Sequence, residues 1–313
     1  MSAAIKGIIP VMLTPFNAAG DIDWDDLEAL IEWYIAHGST ALFAVCQSSE
    51  MQHLSLEERV ALARFTVKIT AGRIPVVASG HISESRDEQI RELNAISDTG
   101  IDALVMVTNR LDPKNQGPKT FKDNFDFLMT HINGDIDLGF YECPAPYRRL
   151  LNDDEFLACR DSGRFTVLKD VSCELDTVMH RVKLCEGSPL NVVNASAAIA
   201  SGALRAGAPG FCGIANNYHP DLYRWLADEG AKHPKFAKEL AIFLSFSALT
   251  EAYGYPAFAK IYHQRLGTIK TNKCRVINFD VRTRYWALDT LIDQLIEGTE
   301  DFRARISELT TSR

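Results

Sequence analysis

Two side chains in this 313-residue sequence are placed to do covalent chemistry: Lys169 and Tyr141. Lys169 ends a short apolar run, Phe165-Thr166-Val167-Leu168, and is followed by Asp170. Earlier in the chain by about one strand–helix unit, Leu138-Gly139-Phe140 ends on Tyr141. If both runs are neighbouring parallel strands of a barrel, the amine and the phenol meet at one rim. Burial disfavours an ammonium, so an amine in a partly apolar pocket loses its proton more easily. The neutral amine attacks carbonyls and forms a Schiff base, and a phenol beside it can shuttle protons. The pair points to covalent chemistry on a keto acid. The competing local interpretation is a strand-end lysine in solvent beside Asp170, since charged residues commonly end up exposed.

These residues need a scaffold that brings strand ends together. Short apolar runs alternate with longer amphipathic ones from the first residues onward. Strands are expected at Ile8–Leu13, Ala41–Val45, Ile74–Ala78 and Asp102–Met106, then at the runs ending on Tyr141 and Lys169, and at Leu190–Val193 and Gly210–Ile214. Helices are expected between them. Asp23 caps one that runs to about His37, with Leu27, Leu30, Ile31 and Tyr34 at helical spacing. Ser55 caps the next, with Glu58 three residues on, a capping-box pattern. Further helices are expected around 84–98, 121–132, 153–159, 174–184, 195–205 and 220–228. The strand runs are apolar on both parities, as strands covered on both faces should be. Eight such repeats specify an α/β fold, a (β/α)8 TIM barrel. A doubly wound open sheet is the competitor, but no GxGxxG turn follows the first strand. Residues 1–230 form the expected barrel domain. Residues 231–313 form a C-terminal helical subdomain with helices near 235–252, 256–265 and 280–293 and a charged tail.

Composition narrows the partners. A formal charge of −8 and the lack of a Lys/Arg-rich block argue against a nucleic-acid partner. With no run of about 18 apolar residues, no membrane span is expected, and Met1–Lys6 lacks the regions of a signal peptide. The seven cysteines, at 46, 143, 159, 173, 185, 212 and 274, are odd in number and form no CxxC pair, so reduced thiols in a cytoplasmic protein are expected. Neither paired cysteines nor HxH or HExxH occur, which goes against zinc.

In such barrels the chemistry lies at the C-terminal strand ends. Ser48 and Ser49 sit in a turn where hydroxyls and amides could hold a carboxylate, or form an ordinary polar loop. Glu50 could pair with a rim cation or face water. Arg110, Arg148 and Arg149 are candidates for a second acidic group of a substrate, because arginine grips carboxylates bidentately; singly, each could equally be a surface arginine. His81 could donate protons or be a hydrogen-bonded structural histidine. Asn216 and Asn217 could bind substrate hydroxyls or cap the last helix.

Several segments together resemble the dihydrodipicolinate synthase/N-acetylneuraminate lyase family. They are Lys6-Gly7-Ile8 with Leu13-Thr14-Pro15-Phe16, Gly20-Asp21-Ile22-Asp23, Cys46-Gln47-Ser48-Ser49-Glu50 with Leu54-Ser55-Leu56-Glu57-Glu58-Arg59, Tyr141-Glu142-Cys143-Pro144, Val167-Leu168-Lys169-Asp170, the stretch from Gly210 to Asn216, and Tyr255-Pro256-Ala257-Phe258-Ala259-Lys260. No single motif is specific, but the ordered set spans nearly the whole chain. The resemblance implies that Lys169 forms an imine with pyruvate or another 2-keto acid, that Tyr141 is the proton shuttle, and that Ser48 and Ser49 hold the carboxylate. Gln47, Arg110 and Gly213 are the further expected substrate-binding residues. No metal or organic cofactor is implied. A homotetramer, a dimer of dimers, is usual in the family.

The departures from the family pattern are specific. Cys46 stands where the family has glycine, Gln47 where the synthases have a relay threonine, and Ser49 where the family has its second glycine. The second tyrosine of the T-P-Y-Y segment falls on Leu111. The synthases' arginine after Y-N-x-P has no in-register counterpart, since Arg148 and Arg149 come later. A hydroxyl relay of three members thus lacks two. The expected activity is a class I aldolase acting on a 2-keto-3-deoxy sugar acid or related 4-hydroxy-2-keto acid, with pyruvate as the imine-bound half and an aldehyde or sugar acid as the other reactant. The alternatives are a dehydratase using the same imine, dihydrodipicolinate synthase itself, and a non-catalytic keto-acid-binding protein.

Overall fold

The structure is a computed structural model that describes residues 4–311. Helix starts follow from the capping residues. Asp23 accepts a hydrogen bond from the Asp26 amide at 3.1 Å and opens α1 (Trp24–Ala36). Ser55 and Glu58 form a complete capping box at the start of α2 (Leu56–Thr70). These helices alternate with β1 (Gly7–Ile8), β2 (Leu42–Val45) and β3 (Val76–Ala78). Then follow α3 (Arg86–Ser97), β4 (Ala103–Val107), α4 (Pro118–His131), β5 (Asp137–Tyr141), α5 (Asp153–Asp161) and β6 (Phe165–Asp170). The repeat ends with α6 (Leu175–Leu184), β7 (Asn191–Asn194), α7 (Ala197–Arg205), β8 (Gly210–Phe211) and α8 (Pro220–Asp228).

The strands form one parallel sheet in the order β1-β8-β7-β6-β5-β4-β3-β2. Between its two ends, the Thr40 amide donates to the Ile8 carbonyl (2.9 Å) and the Phe43 amide to the Pro10 carbonyl (3.0 Å), which curls the sheet into the expected (β/α)8 architecture. β1 and β8 are shorter than the expected Ile8–Leu13 and Gly210–Ile214. Pro10 carries no amide hydrogen and interrupts the first ladder, so beyond it only Val11 bridges to Phe43. After Phe211 the chain turns into a single 3-10 turn, Ile214–Asn217. Where β1 meets β8 the backbones approach so closely that a Cβ on Gly210 would lie 2.3 Å from the Gly7 carbonyl oxygen, and only glycine fits.

The C-terminal region comprises α9 (Pro234–Ser247), α10 (Ala257–Arg265), α11 (Val281–Arg284) and α12 (Leu288–Thr311). The expected domain join at residue 230 falls on a 3-10 turn, Gly230–Lys232, and α9 packs on α7 and α8. One expectation needs correction: 280–293 is not one helix followed by a charged tail. The chain breaks after Arg284, and the supposed tail is the body of α12. Its buried residues, Leu288, Ile292, Leu295, Thr299 and Phe302, recur every three or four positions, so one face packs while the charges occupy the other. Among the described residues no helix is long and apolar enough to cross a membrane.

A buried ion pair fixes the helical region to the barrel rim. Lys260 on α10 donates to Glu50, after β2, at 2.7 Å, and neither side chain reaches solvent. Glu50 also accepts from the amides of Arg275 (2.6 Å) and Val276 (2.8 Å), and the Lys260 amine lies 4.4 Å from the centre of the Phe16 ring. Removing one partner leaves a buried charge uncompensated. Lys260→Met is therefore expected to destabilise the fold by about 3–5 kcal/mol, and Glu50→Gln added to it should restore much of the loss. Urea unfolding of the two variants and the parent measures both effects.

Candidate active site

The register of β5 on β6 sets Tyr141 directly beside Lys169. The lysine is not a solvated strand end, for only 6% of its surface is exposed. Its amine lies 4.1 Å from the centre of the Tyr141 ring and 5.9 Å from that of Phe43. Alternation along β6 turns Asp170 the other way. There Asp170 and Glu142 both accept from Arg181 of α6, in a buried cluster that also takes in the Leu151 carbonyl. Asp170 is thus committed to the barrel wall, and among the described residues Lys169 has no carboxylate at ion-pairing distance.

The Tyr141 hydroxyl points at Gln47, whose Oε1 lies 3.4 Å away and also accepts from the Cys143 thiol at 3.3 Å. Burial pushes the phenol well above its ordinary pKa, and the neighbouring Cys143 and Cys46 push the same way. It therefore carries its proton at neutral pH.

Above this pair opens a cleft of about 630 Å3. Gln47, Ser48, Tyr141, Lys169 and Gly213 line its barrel side. Gly213 admits no side chain, because a Cβ would lie 2.3 Å from the Phe211 ring and 2.6 Å from the Ala195 carbonyl oxygen. Ser48 lies against the phenol of Tyr255, whose pKa is pushed well up by burial, with the Ser48 hydrogen bond acting in the opposite sense.

Other candidates fall outside the cleft. Ser49 is fully buried, and its hydroxyl donates to the Cys46 carbonyl (2.7 Å) and accepts from the Cys46 amide (2.8 Å), so it shapes the turn. Arg110 does not line the cleft either. Its Nε donates to Asn109 and one terminal nitrogen to the Ile82 carbonyl, and the other has no partner among the described residues. Arg149 is held by Asp112 and Glu155 and lies 4.1 Å from the centre of the Phe121 ring. Of the three arginines only Arg148 lines the cleft, with one terminal nitrogen on the Val171 and Ser172 carbonyls, 3.2 Å each.

His81 is the structural histidine. Its Nδ1 accepts from the Val107 amide and its Nε2 faces Gln89 Oε1 at 2.6 Å, which leaves the proton on Nε2. Burial lowers its pKa to about 4, against the pull of its Gln89 hydrogen bond. Asn216 and Asn217 neither face the cleft nor cap α8. They donate to the carbonyls of Ile9, Phe211 and Val11 and tie the end of β8 to the first strand.

Glu251 and Tyr255 went unnoticed as cleft residues from the sequence. Glu251 belongs to a 3-10 segment, Ala248–Tyr253, after α9. Partial desolvation in the cleft raises its carboxyl pKa, while the Lys169 charge pulls it down. Tyr255 carried a signal, the Tyr255-Pro256 resemblance. Glu251 carried none, because its place depends on how the helical region folds over the rim. Among the described residues no three His, Cys, Asp or Glu side chains are grouped to hold a metal, and all seven cysteines are free.

The comparisons with known proteins agree with this architecture. Residues 4–276 match the model of the dihydrodipicolinate synthetase family. A 4-hydroxy-tetrahydrodipicolinate synthase of Shewanella pealeana is 26% identical, over 96% of this chain and 99% of its own. Among solved structures, a dihydrodipicolinate synthase from Acinetobacter baumannii complexed with pyruvate superposes with a TM-score of 0.80 at 22% identity, covering 93% of this chain and 99% of that one. CdNal from Clostridium difficile, in complex with mannosamine, gives 0.81 at 17% identity, covering 95% and 100%.

Proposed function

This chain belongs to the dihydrodipicolinate synthetase family, and on that premise we propose that it is a class I lyase in which Lys169 forms an imine with a 2-keto acid. The substrate is a 2-keto-3-deoxy sugar acid or related 4-hydroxy-2-keto acid. One observation carries the proposal: a buried lysine, with no carboxylate at ion-pairing distance among the described residues, stands in register with a buried phenol at the floor of the cleft.

Lys169 attacks the C2 carbonyl carbon, and the resulting carbinolamine loses water to give the iminium ion. Tyr141 begins protonated and supplies the proton to the leaving hydroxyl. The iminium charge then stabilises the phenolate, which takes the proton from the C4 hydroxyl as the C3–C4 bond breaks. The aldehyde departs, and the bonding electrons enter the enamine. Reprotonation at C3 by Tyr141, followed by hydrolysis, releases pyruvate and restores both residues. Ser48 and the Gln47 amide are the groups within the cleft suited to hold the carboxylate, while Ser49 supports the turn from behind.

The exposed carboxyl of Glu251 favours one second possibility. With its raised pKa it could donate a proton to a leaving hydroxyl, as a dehydratase on the same imine requires. Synthase activity is disfavoured by the amide of Gln47 and by Leu111, which is buried and carries no hydroxyl. A homotetramer in the cytoplasm completes the proposal. Exposed Phe246 and Trp286 on the helical region and the seven free thiols are in keeping with it.

Incubation with pyruvate and borohydride, followed by peptide mass spectrometry, tests the chemistry. A reduced pyruvate adduct on Lys169 is expected. If neither pyruvate nor a longer keto acid leaves an adduct, the chain is a binding protein or works by another route.

A further inference from the structure

We infer that the aldehyde half of the substrate has an apolar body, aromatic or branched aliphatic, rather than a polyhydroxylated chain. The inference rests on the lyase proposal and selects the second of its two substrate classes.

The cleft is far larger than a three-carbon keto acid needs; its 630 Å3 lies within the roughly 300–1,000 Å3 that accommodates drug-sized ligands. Pyruvate anchored on Lys169 fills only the floor. Pro144, Ala145, Val171, Ala197, Leu249 and Val276 form the apolar part of the walls above it, with the Ser196 and Ser245 hydroxyls beside them. Two of the apolar residues are large side chains open to solvent, Leu249 at 61% and Val276 at 45% exposed. An apolar ligand would cover them, which is where the favourable free energy of such a site lies.

Most of the amides and hydroxyls near the strand ends that would read sugar hydroxyls are spent elsewhere. Asn194 bonds the backbone of Ser196 through both ends of its amide, at 2.8 and 2.9 Å. Asn216 and Asn217 brace the first strand. Ser245 lines the cleft, but its hydroxyl donates to the Ala241 carbonyl within α9 at 2.8 Å. A polyhydroxylated chain passing the apolar part of the walls would lose more water contacts than the Ser196 hydroxyl replaces. Polar groups recur farther out, where Gln52, His53, Arg148 and Glu251 are exposed, so a polar tip on an apolar body is tolerated.

The bond change is the aldol step already described: the enamine carbon of pyruvate joins the aldehyde carbon, and the aldehyde oxygen takes a proton to become the C4 hydroxyl. The test supplies pyruvate with benzaldehyde or with glyceraldehyde and follows product by mass spectrometry, with borohydride trapping in parallel. Benzaldehyde is expected to give a kcat/KM at least about tenfold above glyceraldehyde, the scale on which an apolar pocket discriminates. Leu249→Ser should narrow that ratio by lowering the benzaldehyde value. A trapped pyruvate adduct with glyceraldehyde preferred, or with neither aldehyde accepted, overturns the inference and leaves the imine chemistry standing. Absence of the adduct overturns both.

Discussion

Lys169→Ala is expected to lower turnover by about 10⁴-fold or more, the scale seen when the nucleophile of a catalytic unit is removed, and to abolish the borohydride adduct. The expectation is specific because nothing else in the cleft can take over. Arg148 carries a guanidinium, which does not act as a carbonyl nucleophile. The Lys260 amine is sealed in its ion pair with Glu50. The fold should survive, though not because the residue is exposed. Lys169 is buried, but among the described residues its amine has no ion-pair partner to orphan, and its neighbours are the rings of Tyr141 and Phe43. Lys169→Met keeps most of the volume and separates lost chemistry from lost packing. Both variants should melt cooperatively and neither should turn over. Near-normal activity in either would end the Schiff-base proposal.

The sequence revealed the parts of this site that depend on local order and not those that depend on the closed fold. Strand alternation sufficed to place Lys169 and Tyr141 together, because parallel strands of equal polarity bring their ends to one rim. Capping chemistry located Asp23 and Ser55 to the residue. What local order cannot give is the direction of a side chain in a crowded rim. Ser49 and Ser48 are adjacent and chemically alike, yet one turns inward to Cys46 and the other faces the cleft. Arg110, Arg148 and Arg149 look interchangeable in sequence. Their fates are decided by Asp112, Glu155 and the Ile82 carbonyl, which only the folded barrel brings near. Glu251 is the extreme case, eighty-two positions from Lys169 and placed by a helix that packs on α7.

Tyr141→Phe is expected to reduce turnover by roughly 10²–10⁴, the cost of losing a positioned proton carrier, while a pyruvate imine still forms slowly enough to trap. The substitution deletes only a hydroxyl. Its hydrogen bond to Gln47, at 3.4 Å, is long, and Gln47 retains the Cys143 thiol as a donor, so little stability should be lost. The raised pKa of the phenol dictates the order of its roles. A group that is neutral at rest must first give a proton and can accept one only after the iminium charge has formed beside it. The variant should therefore fail twice, in forming the iminium ion and in cleaving the C3–C4 bond, and single-turnover kinetics should show both steps slowed. If the rate is unchanged, the shuttle lies elsewhere, and the candidates are few. His81 is excluded by geometry, since Gln89 and the Val107 amide occupy its two nitrogens. What remains within the cleft is water, the exposed carboxyl of Glu251, His53 or the phenol of Tyr255. Glu251→Gln, His53→Gln and Tyr255→Phe, each made in the Tyr141→Phe background, distinguish them, because each change removes one side-chain route and leaves water untouched.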